Sequence, residues 1–205
     1  MEDWELYLVT EEELSKGRKT LEVVKEAVAG GVDVIQLREK AKTTREKYRL
    51  GTKIKKILAG SGVDFIVNDD PALALALDAD GVHLGDDDLT IGVTRDILGA
   101  DKIIGYSTSN LTEIKKARER GADYVGFGAI YKTTSKDVQE RRQEIGLDRL
   151  RKVSSKVEIP IVAIGGIEEE NISLVKQSGA DAIAVISAVT KANDIKTKVQ
   201  HLKQK

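Results

Sequence analysis

Four times in this chain a glycine is followed by a small residue, an aspartate and an apolar run. The copies are Gly31-Val32-Asp33-Val34-Ile35, Gly62-Val63-Asp64-Phe65-Ile66, Gly121-Ala122-Asp123-Tyr124-Val125 and Gly179-Ala180-Asp181-Ala182-Ile183. Ala79-Asp80-Gly81-Val82 is a looser copy. Glycine closes a helix well because it accepts the left-handed conformation, and an apolar run directly after it reads as a buried strand. The copies recur at roughly 30 residues or twice that, the length of one strand-helix unit. Such a period restricts the chain to a parallel sheet with helices packed on it.

Read in order, strands are predicted at Glu5–Val9, Val32–Leu37, Asp64–Val67, Gly81–Leu84, Lys102–Tyr106, Tyr124–Phe127, Ile161–Ile164 and Ala182–Ile186. Helical periodicity and capping residues predict helices at Thr20–Ala29, Thr44–Leu58, Gly92–Leu98, Leu111–Arg120, Leu147–Ser155, Glu168–Ser178 and Asn193–Leu202. One more helix starts at the Asp70 cap with Pro71 in its first turn. The strands are continuously apolar rather than alternating, as expected when both faces are covered. Eight strands alternating with eight helices predict a single-domain (β/α)8 TIM barrel, one catalytic domain over residues 1–205. A doubly wound open sheet is the second choice. No G-x-G-x-x-G follows the first strand, which argues against dinucleotide binding.

Composition removes several function classes. The net charge of −1 over 205 residues provides no basic field for nucleic acid. No apolar run approaches the roughly 18 residues of a membrane span, and the N-terminal Met-Glu-Asp-Trp-Glu-Leu-Tyr lacks a signal-peptide core. The absence of cysteine rules out thiol chemistry and fits a cytoplasmic location. With only His83 and His201, a multi-histidine zinc site is excluded. The expected partners are small molecules, not nucleic acid or membrane; monomer and homo-oligomer both stay open.

In a (β/α)8 barrel, chemistry gathers at the C-terminal ends of the strands. Strand two ends in Gln36-Leu37-Arg38-Glu39-Lys40. Alternation would set Gln36, Arg38 and Lys40 on one side, two cations and an amide suited to pyrophosphate. Strand three ends in Asn68-Asp69-Asp70; Asp70 is the cap, leaving Asn68 and Asp69 for a site. Strand four ends in Gly85-Asp86-Asp87-Asp88, and one of these acids beside Asp69, with a substrate pyrophosphate, makes an ordinary Mg²⁺ environment. His83, inside strand four, reads as a satisfied core histidine. Ser107-Thr108-Ser109-Asn110 should cap the following helix and leave Ser107 free for a ligand. The stretch Ala122–Lys136 runs from a buried strand into Thr133-Thr134-Ser135-Lys136, whose hydroxyls and ammonium suit a phosphate. Gly165-Gly166-Ile167 and Ile186-Ser187-Ala188, after strands seven and eight, read as a phosphate cup. Two phosphate sites, one with metal, predict two phosphorylated substrates meeting at the barrel mouth.

Taken together, V-I-Q-L-R-E-K, F-I-V-N-D-D, G-V-H-L-G-D-D-D, G-Y-S-T, A-D-Y-V-G-F-G-A-I-Y-K-T-T-S-K, I-P-I-V-A-I-G-G-I and A-V-I-S-A resemble the thiamine-phosphate synthase family. The resemblance runs in order from about residue 32 to 190 and is specific as a set. It implies a (β/α)8 transferase that joins a hydroxymethylpyrimidine diphosphate to a thiazole phosphate, forming thiamine monophosphate and releasing pyrophosphate. It further implies that Gln36, Arg38, Lys40 and Asn68 bind the pyrimidine diphosphate and that Ser107 and Lys136 hold its diphosphate. Asp69 and Asp88 would be the Mg²⁺ ligands; family spacing selects Asp88 from the acidic run. Thr133, Thr134 and Ser135 would contact the thiazole phosphate, with Gly166, Ile186 and Ser187 completing its cup. The implied mechanism is dissociative, with Mg²⁺, Arg38, Lys40 and Lys136 stabilising the departing pyrophosphate.

The loop after strand six departs from the family's G-P-I-[FY]-P-T-x-T-K: Ala129 and Lys132 replace its prolines and Ser135 its second threonine. Fewer prolines predict a less pre-organised loop. The alternatives are a thiazole tautomerase of the same fold, for which no histidine is well placed, and a non-catalytic phosphate-ligand sensor. Arg38 is expected to have the substrate as its partner, so that its loss should harm turnover far more than folding.

Overall fold

The computed structural model describes residues 4–133 and 144–205. Eight parallel strands close in chain order into a barrel. They are β1 Leu6–Val9, β2 Val34–Leu37, β3 Asp64–Asn68, β4 Gly81–Leu84, β5 Ile103–Thr108, β6 Tyr124–Gly128, β7 Ile161–Ile164 and β8 Ala182–Val185. The helices outside them are α1 Thr20–Gly30, α2 Thr44–Leu58, α3 Pro71–Leu77, α4 Ile91–Leu98, α5 Leu111–Glu119, α6 Leu147–Ser154, α7 Ile172–Gln177, the short α8 Ser187–Thr190 and α9 Ile195–Gln204. The barrel prediction holds, and the open sheet is excluded by the pairing of β1 with β8. A 3₁₀ turn at Glu12–Leu14 and α8 were not predicted. Both are shorter than the window in which helical periodicity can be read.

Local chemistry explains the element ends. Gly31, Gly62, Gly121 and Gly179 all have φ between 75° and 93°, so each supplies the left-handed turn for which the recurrence was read. Asp70 accepts from the Leu73 backbone N–H with Pro71 in the first turn, as expected. Thr43 and Glu46 form a reciprocal capping box at the start of α2.

Burial divides the apolar residues into two cores. One, between sheet and helices, holds Leu6, Leu8, Ile35, Val67, Ile104 and Val125 with the inner faces of the helices. The other fills the barrel itself, with Trp4, Tyr7, Val34, Ile66, Tyr124 and Val162 among its members. Consecutive strand residues alternate between the two cores, which is why both positions of each run had to be apolar. Inside the barrel, volume is balanced by glycine. A Cβ on Gly105 would overlap the Tyr124 ring, and one on Gly126 would lie 2.9 Å from His83 Cε1. Trp4 packs edge-on against Tyr7 and Tyr124 at 5.6 and 5.2 Å, and its indole N–H donates to Asp64 at 2.6 Å, closing the bottom of the barrel.

The recurrent aspartates have a second role that the sequence does not announce. At the start of every even strand, an aspartate N–H donates to a backbone carbonyl of the preceding odd strand. The same aspartate's Oδ2 accepts from that residue's N–H. The pairs are Asp33 with Leu6, Asp80 with Phe65, Asp123 with Ile104 and Asp181 with Ile161, at 2.7–3.0 Å throughout. Asp33 also accepts from the Glu5 N–H and from Lys203 of α9. Asp33→Ala is expected to lose about 1–3 kcal/mol in urea unfolding, because it strands strand-end N–H groups. Its kcat should stay at the wild-type value, since the clamp lies at the opposite end of the barrel from the mouth.

Candidate active site

The mouth is built from the C-terminal ends of β2 to β8. Gln36 lies inside β2, 4% exposed, with its side chain in the barrel, where Nε2 donates to Tyr7 Oη at 2.7 Å. β2 stops at Leu37, so the alternation argument does not extend to Arg38 and Lys40. Arg38 instead turns toward the end of β1. Its backbone N–H donates to Thr10 Oγ1, and its guanidinium forms an ion pair with Glu11 in which both side chains are almost fully buried. Substrate is therefore not the sole partner of Arg38, which corrects the expectation drawn from the sequence. Burial pushes the Glu11 carboxyl up, and Arg38 pulls it back down. Lys40 is exposed on the turn beyond.

Glu11 was missed because it lies 27 positions before Arg38 and carries no local pattern. It holds the guanidinium in one place before any ligand arrives, the kind of support that a binding site needs. Glu39, 2% exposed, points away from the mouth and accepts from Thr20 Oγ1 at 2.6 Å and from the Glu12 N–H at 3.0 Å. It anchors the loop after β1 rather than facing a ligand.

Asn68 ends β3, and Asp69 follows it with φ 65°, a left-handed conformation that aspartate and asparagine tolerate better than most residues. The Asp69 N–H donates to the His83 carbonyl at 2.8 Å, which ties this strained residue to β4. Asp88 folds back so that Oδ2 accepts from the Gly85 N–H at 2.7 Å. Burial, and then the adjacent Asp69 and Asp87 charges, push the Asp88 carboxyl up to about 6. The structure thus brings Asp69 and Asp88 together. Asp86 is engaged elsewhere, accepting from Tyr106 Oη at 3.0 Å. Among the described residues no set of three or more His, Cys, Asp or Glu side chains gathers. Two close carboxylates still fit Mg²⁺, which takes one or two carboxylates and completes its shell with substrate oxygens and water.

Ser107 lies within β5, which extends two residues further than predicted, to Thr108. It is not free: His83 Nε2 lies 3.0 Å from its Oγ. Asn110 is the residue that caps α5. His83 is 8% exposed and bonded through both ring nitrogens, the satisfied core histidine that its position predicts. Tyr7 and Tyr124, which line the same interior with Gln36, Ser107 and His83, were not anticipated. Burial raises the pKa of both phenols, so they stay protonated. Gly105 in β5 and Gly126 in β6 leave the room inside the barrel that the Tyr124 ring and the His83 imidazole fill.

On the far side, β8 stops at Val185, one residue before the predicted end; Ile186, 6% exposed, is the N-cap of α8, which Ser187 begins. Gly165 and Gly166 have φ of 104° and 65°. A Cβ on either would lie 2.6–2.7 Å from Ala129 or Tyr131 Cβ, so what the glycines admit is the segment leaving β6. That segment is pinned on both sides. Ile130 and Tyr131 N–H donate to the Ile164 and Gly165 carbonyls, and Ile145 and Gly146 N–H donate to those of Ala129 and Ile130. Backbone bonding thus holds Ala129–Tyr131 between β7 and the segment before α6. Thr133 follows, half-buried; Thr134, Ser135 and Lys136 lie outside the described residues.

No helix among the described residues is long and apolar enough to cross a membrane. The sequence pattern of the thiamine monophosphate synthase family matches residues 6–189. A thiamine-phosphate synthase of Haloarcula marismortui is 50% identical over 195 residues, covering 95% of this chain and 92% of its own. The structure of a thiamine phosphate pyrophosphorylase from Pyrococcus furiosus superposes with a TM-score of 0.89 at 40% identity, over 98% of this chain and 94% of that one. A 3-hexulose-6-phosphate synthase superposes at 0.71 with 18% identity over 98% of each chain, and shares the barrel alone. With the family's pattern spanning nearly the whole barrel, and a half-identical relative matched along its length, the chain belongs to the thiamine monophosphate synthase family.

Proposed function

We propose that this chain is a cytoplasmic thiamine-phosphate synthase that couples a hydroxymethylpyrimidine diphosphate to a thiazole phosphate and releases pyrophosphate. The observation that carries the reading is the meeting of Asp69 and Asp88 at the mouth, beside Asn68. The two acids follow neighbouring strands, β3 and β4, and stand at the positions that the family resemblance implies for the metal ligands.

In this reading Gln36, Arg38, Lys40 and Asn68 bind the pyrimidine diphosphate, and Ser107 and Lys136 hold its diphosphate. Asp69 and Asp88 would hold Mg²⁺, which when bound supplies positive charge to the pyrophosphate oxygens. The bond between the pyrimidine methylene carbon and the bridging oxygen breaks, and pyrophosphate leaves with both electrons. Arg38, Lys40 and Lys136 stabilise that charge as it develops. The thiazole nitrogen then donates its lone pair to the pyrimidine methyl cation. Thr133, Thr134, Ser135, Gly166, Ile186 and Ser187 orient the thiazole by its phosphate, so the nucleophile is in place when the cation forms. No side chain of the protein acts as a nucleophile, which suits a mouth whose histidine is fully bonded.

Incubating the protein with both phosphorylated substrates and Mg²⁺ is expected to yield thiamine phosphate and pyrophosphate. Running the thiazole phosphate and its carboxylated precursor in separate arms identifies the acceptor. Tautomerisation of the carboxylated thiazole alone would replace this reading with the isomerase. Tight binding of both substrates without product would replace it with a sensor.

A further inference from the structure

Two residues of the proposed site are joined through the interior of the barrel by one continuous hydrogen-bonded chain. Gln36 Nε2 donates to Tyr7 Oη at 2.7 Å, and Tyr7 Oη lies 2.9 Å from Tyr124 Oη. Tyr124 Oη lies 2.9 Å from His83 Nδ1, and His83 Nε2 lies 3.0 Å from Ser107 Oγ. The five groups come from β2, β1, β6, β4 and β5, so the chain crosses the barrel. Around it is a cavity of about 20 Å³, room for roughly one water molecule. Trp4 seals the tyrosine rings from below.

Proton counting gives this chain a direction. Each phenol has one proton, and a buried donor left without an acceptor is costly. Tyr7 Oη already accepts from Gln36, so its own proton goes to Tyr124. The proton of Tyr124 then goes to His83 Nδ1, which has to be the unprotonated nitrogen. His83 is consequently neutral, carries its proton on Nε2 and donates to Ser107 Oγ. The Ser107 proton is left for a ligand, and so is the Gln36 carbonyl oxygen at the other end. A charged imidazole breaks the order. It would donate to Tyr124, turn that proton onto Tyr7, and leave Tyr7 with two donors and a stranded proton. Inverting the Gln36 amide would reverse every bond together, so the chain has one polarity and not a mixture.

We propose that Tyr7, Tyr124 and His83 are positioning residues: a one-way hydrogen-bond relay that fixes His83 as its Nε2–H tautomer and so presents an acceptor at Gln36 and a donor at Ser107 to the pyrimidine diphosphate. The identity of that ligand rests on the function proposed above; the tautomer and the direction of the relay do not. An acceptor at one end and a donor at the other match a ring bearing an amino group and an anionic oxygen. A ligand with the opposite pattern meets like groups at both ends.

The first measurement needs no turnover. The full-length protein, labelled with ¹⁵N-histidine, contains only His83 and His201, and a His201→Gln variant assigns the signals. Long-range ¹H–¹⁵N spectra between pH 6 and 8 are expected to show His83 as a single neutral Nε2–H tautomer. An Nδ1–H tautomer or an imidazolium would overturn the relay's direction. The second measurement uses Tyr124→Phe, with Tyr7→Phe as the alternative should the first variant fold poorly. Each is expected to leave His83 in a mixture of tautomers. Each should also raise the KM, or the calorimetric Kd, for the pyrimidine diphosphate about tenfold, and leave the KM for the thiazole phosphate unchanged. The double variant should be no worse than either single one, because one break opens the whole relay. Additive losses, or equal losses for both substrates, would reduce the tyrosines to packing. Should the wild type bind the pyrimidine diphosphate without forming thiamine phosphate, the proposed reaction fails while the spectra still decide the relay.

Discussion

Replacing Arg38 with alanine is expected to cost the protein about 3–5 kcal/mol of stability as well as its turnover, because the change leaves the buried Glu11 carboxylate without its counter-ion. The two losses have different origins and can be separated. Charge-assisted bonds to the pyrophosphate are worth about 1.5–3 kcal/mol, which corresponds to roughly 10–150-fold in kcat/KM. The folding loss belongs to Glu11 instead. In the double variant Arg38→Ala/Glu11→Gln the orphaned charge is gone, and the urea midpoint should recover most of the deficit. Turnover should stay low, since the diphosphate still lacks its guanidinium. Glu11→Gln alone should keep a charged Arg38 but leave its buried guanidinium without a counter-ion, so stability should fall here too and KM should rise because the guanidinium is no longer held in place. A double variant that regains activity along with stability would mean that Arg38 serves the fold only.

Asp69→Asn is expected to remove magnesium-dependent turnover with almost no effect on the fold. Asparagine suits a test at this position because it tolerates the left-handed conformation that alanine resists, so backbone strain does not confuse the outcome. A metal ion stabilising transition-state charge is worth several kcal/mol, so the loss should be on the order of a thousandfold. A second readout avoids activity altogether. Mg²⁺ at about 100 times its Kd should stabilise the wild type by roughly 2.7 kcal/mol against unfolding. The Asp69→Asn protein should show no such increment. Full turnover in the variant, or an unchanged Mg²⁺ increment, would remove Asp69 from the metal site.

The sequence was most informative where a property repeats along the chain. Glycine at a helix end and a buried strand after it are local requirements, so their period marked the repeating strand-helix unit, and the apolar runs supplied the remaining strands. It was weaker at strand ends. β5 runs on to Thr108 because Ser107 and Thr108 continue the pairing with Gly126 and Phe127, and side-chain polarity concealed this. Ser107 was thus expected in a loop and lies instead on the barrel wall against His83. That Asp69 would meet one acid of the Asp86-Asp87-Asp88 run was legible, since neighbouring strands in chain order are neighbours in space; the choice of Asp88 came from the family resemblance. Arg38 with Glu11 was not, because it depends on where the β1 and β2 loops go after the strands stop. The relay was least legible of all. Tyr7 and Tyr124 look like ordinary strand residues until closure of the barrel brings β1 opposite β6.

The reciprocal aspartate clamps join β1 to β2, β3 to β4, β5 to β6 and β7 to β8, and no clamp spans β2–β3, β4–β5 or β6–β7 among the described residues. The wall is therefore assembled from four fastened quarters and not from eight equivalent staves. The seams between quarters fall in the chain after β2, β4 and β6. Those are the places to cut for a circular permutant, or to splice in a quarter from a relative, because each piece carries both halves of its own fastening. A cut between β5 and β6 would part Asp123 from Ile104, and the two pieces would then have to find each other before either edge was pinned.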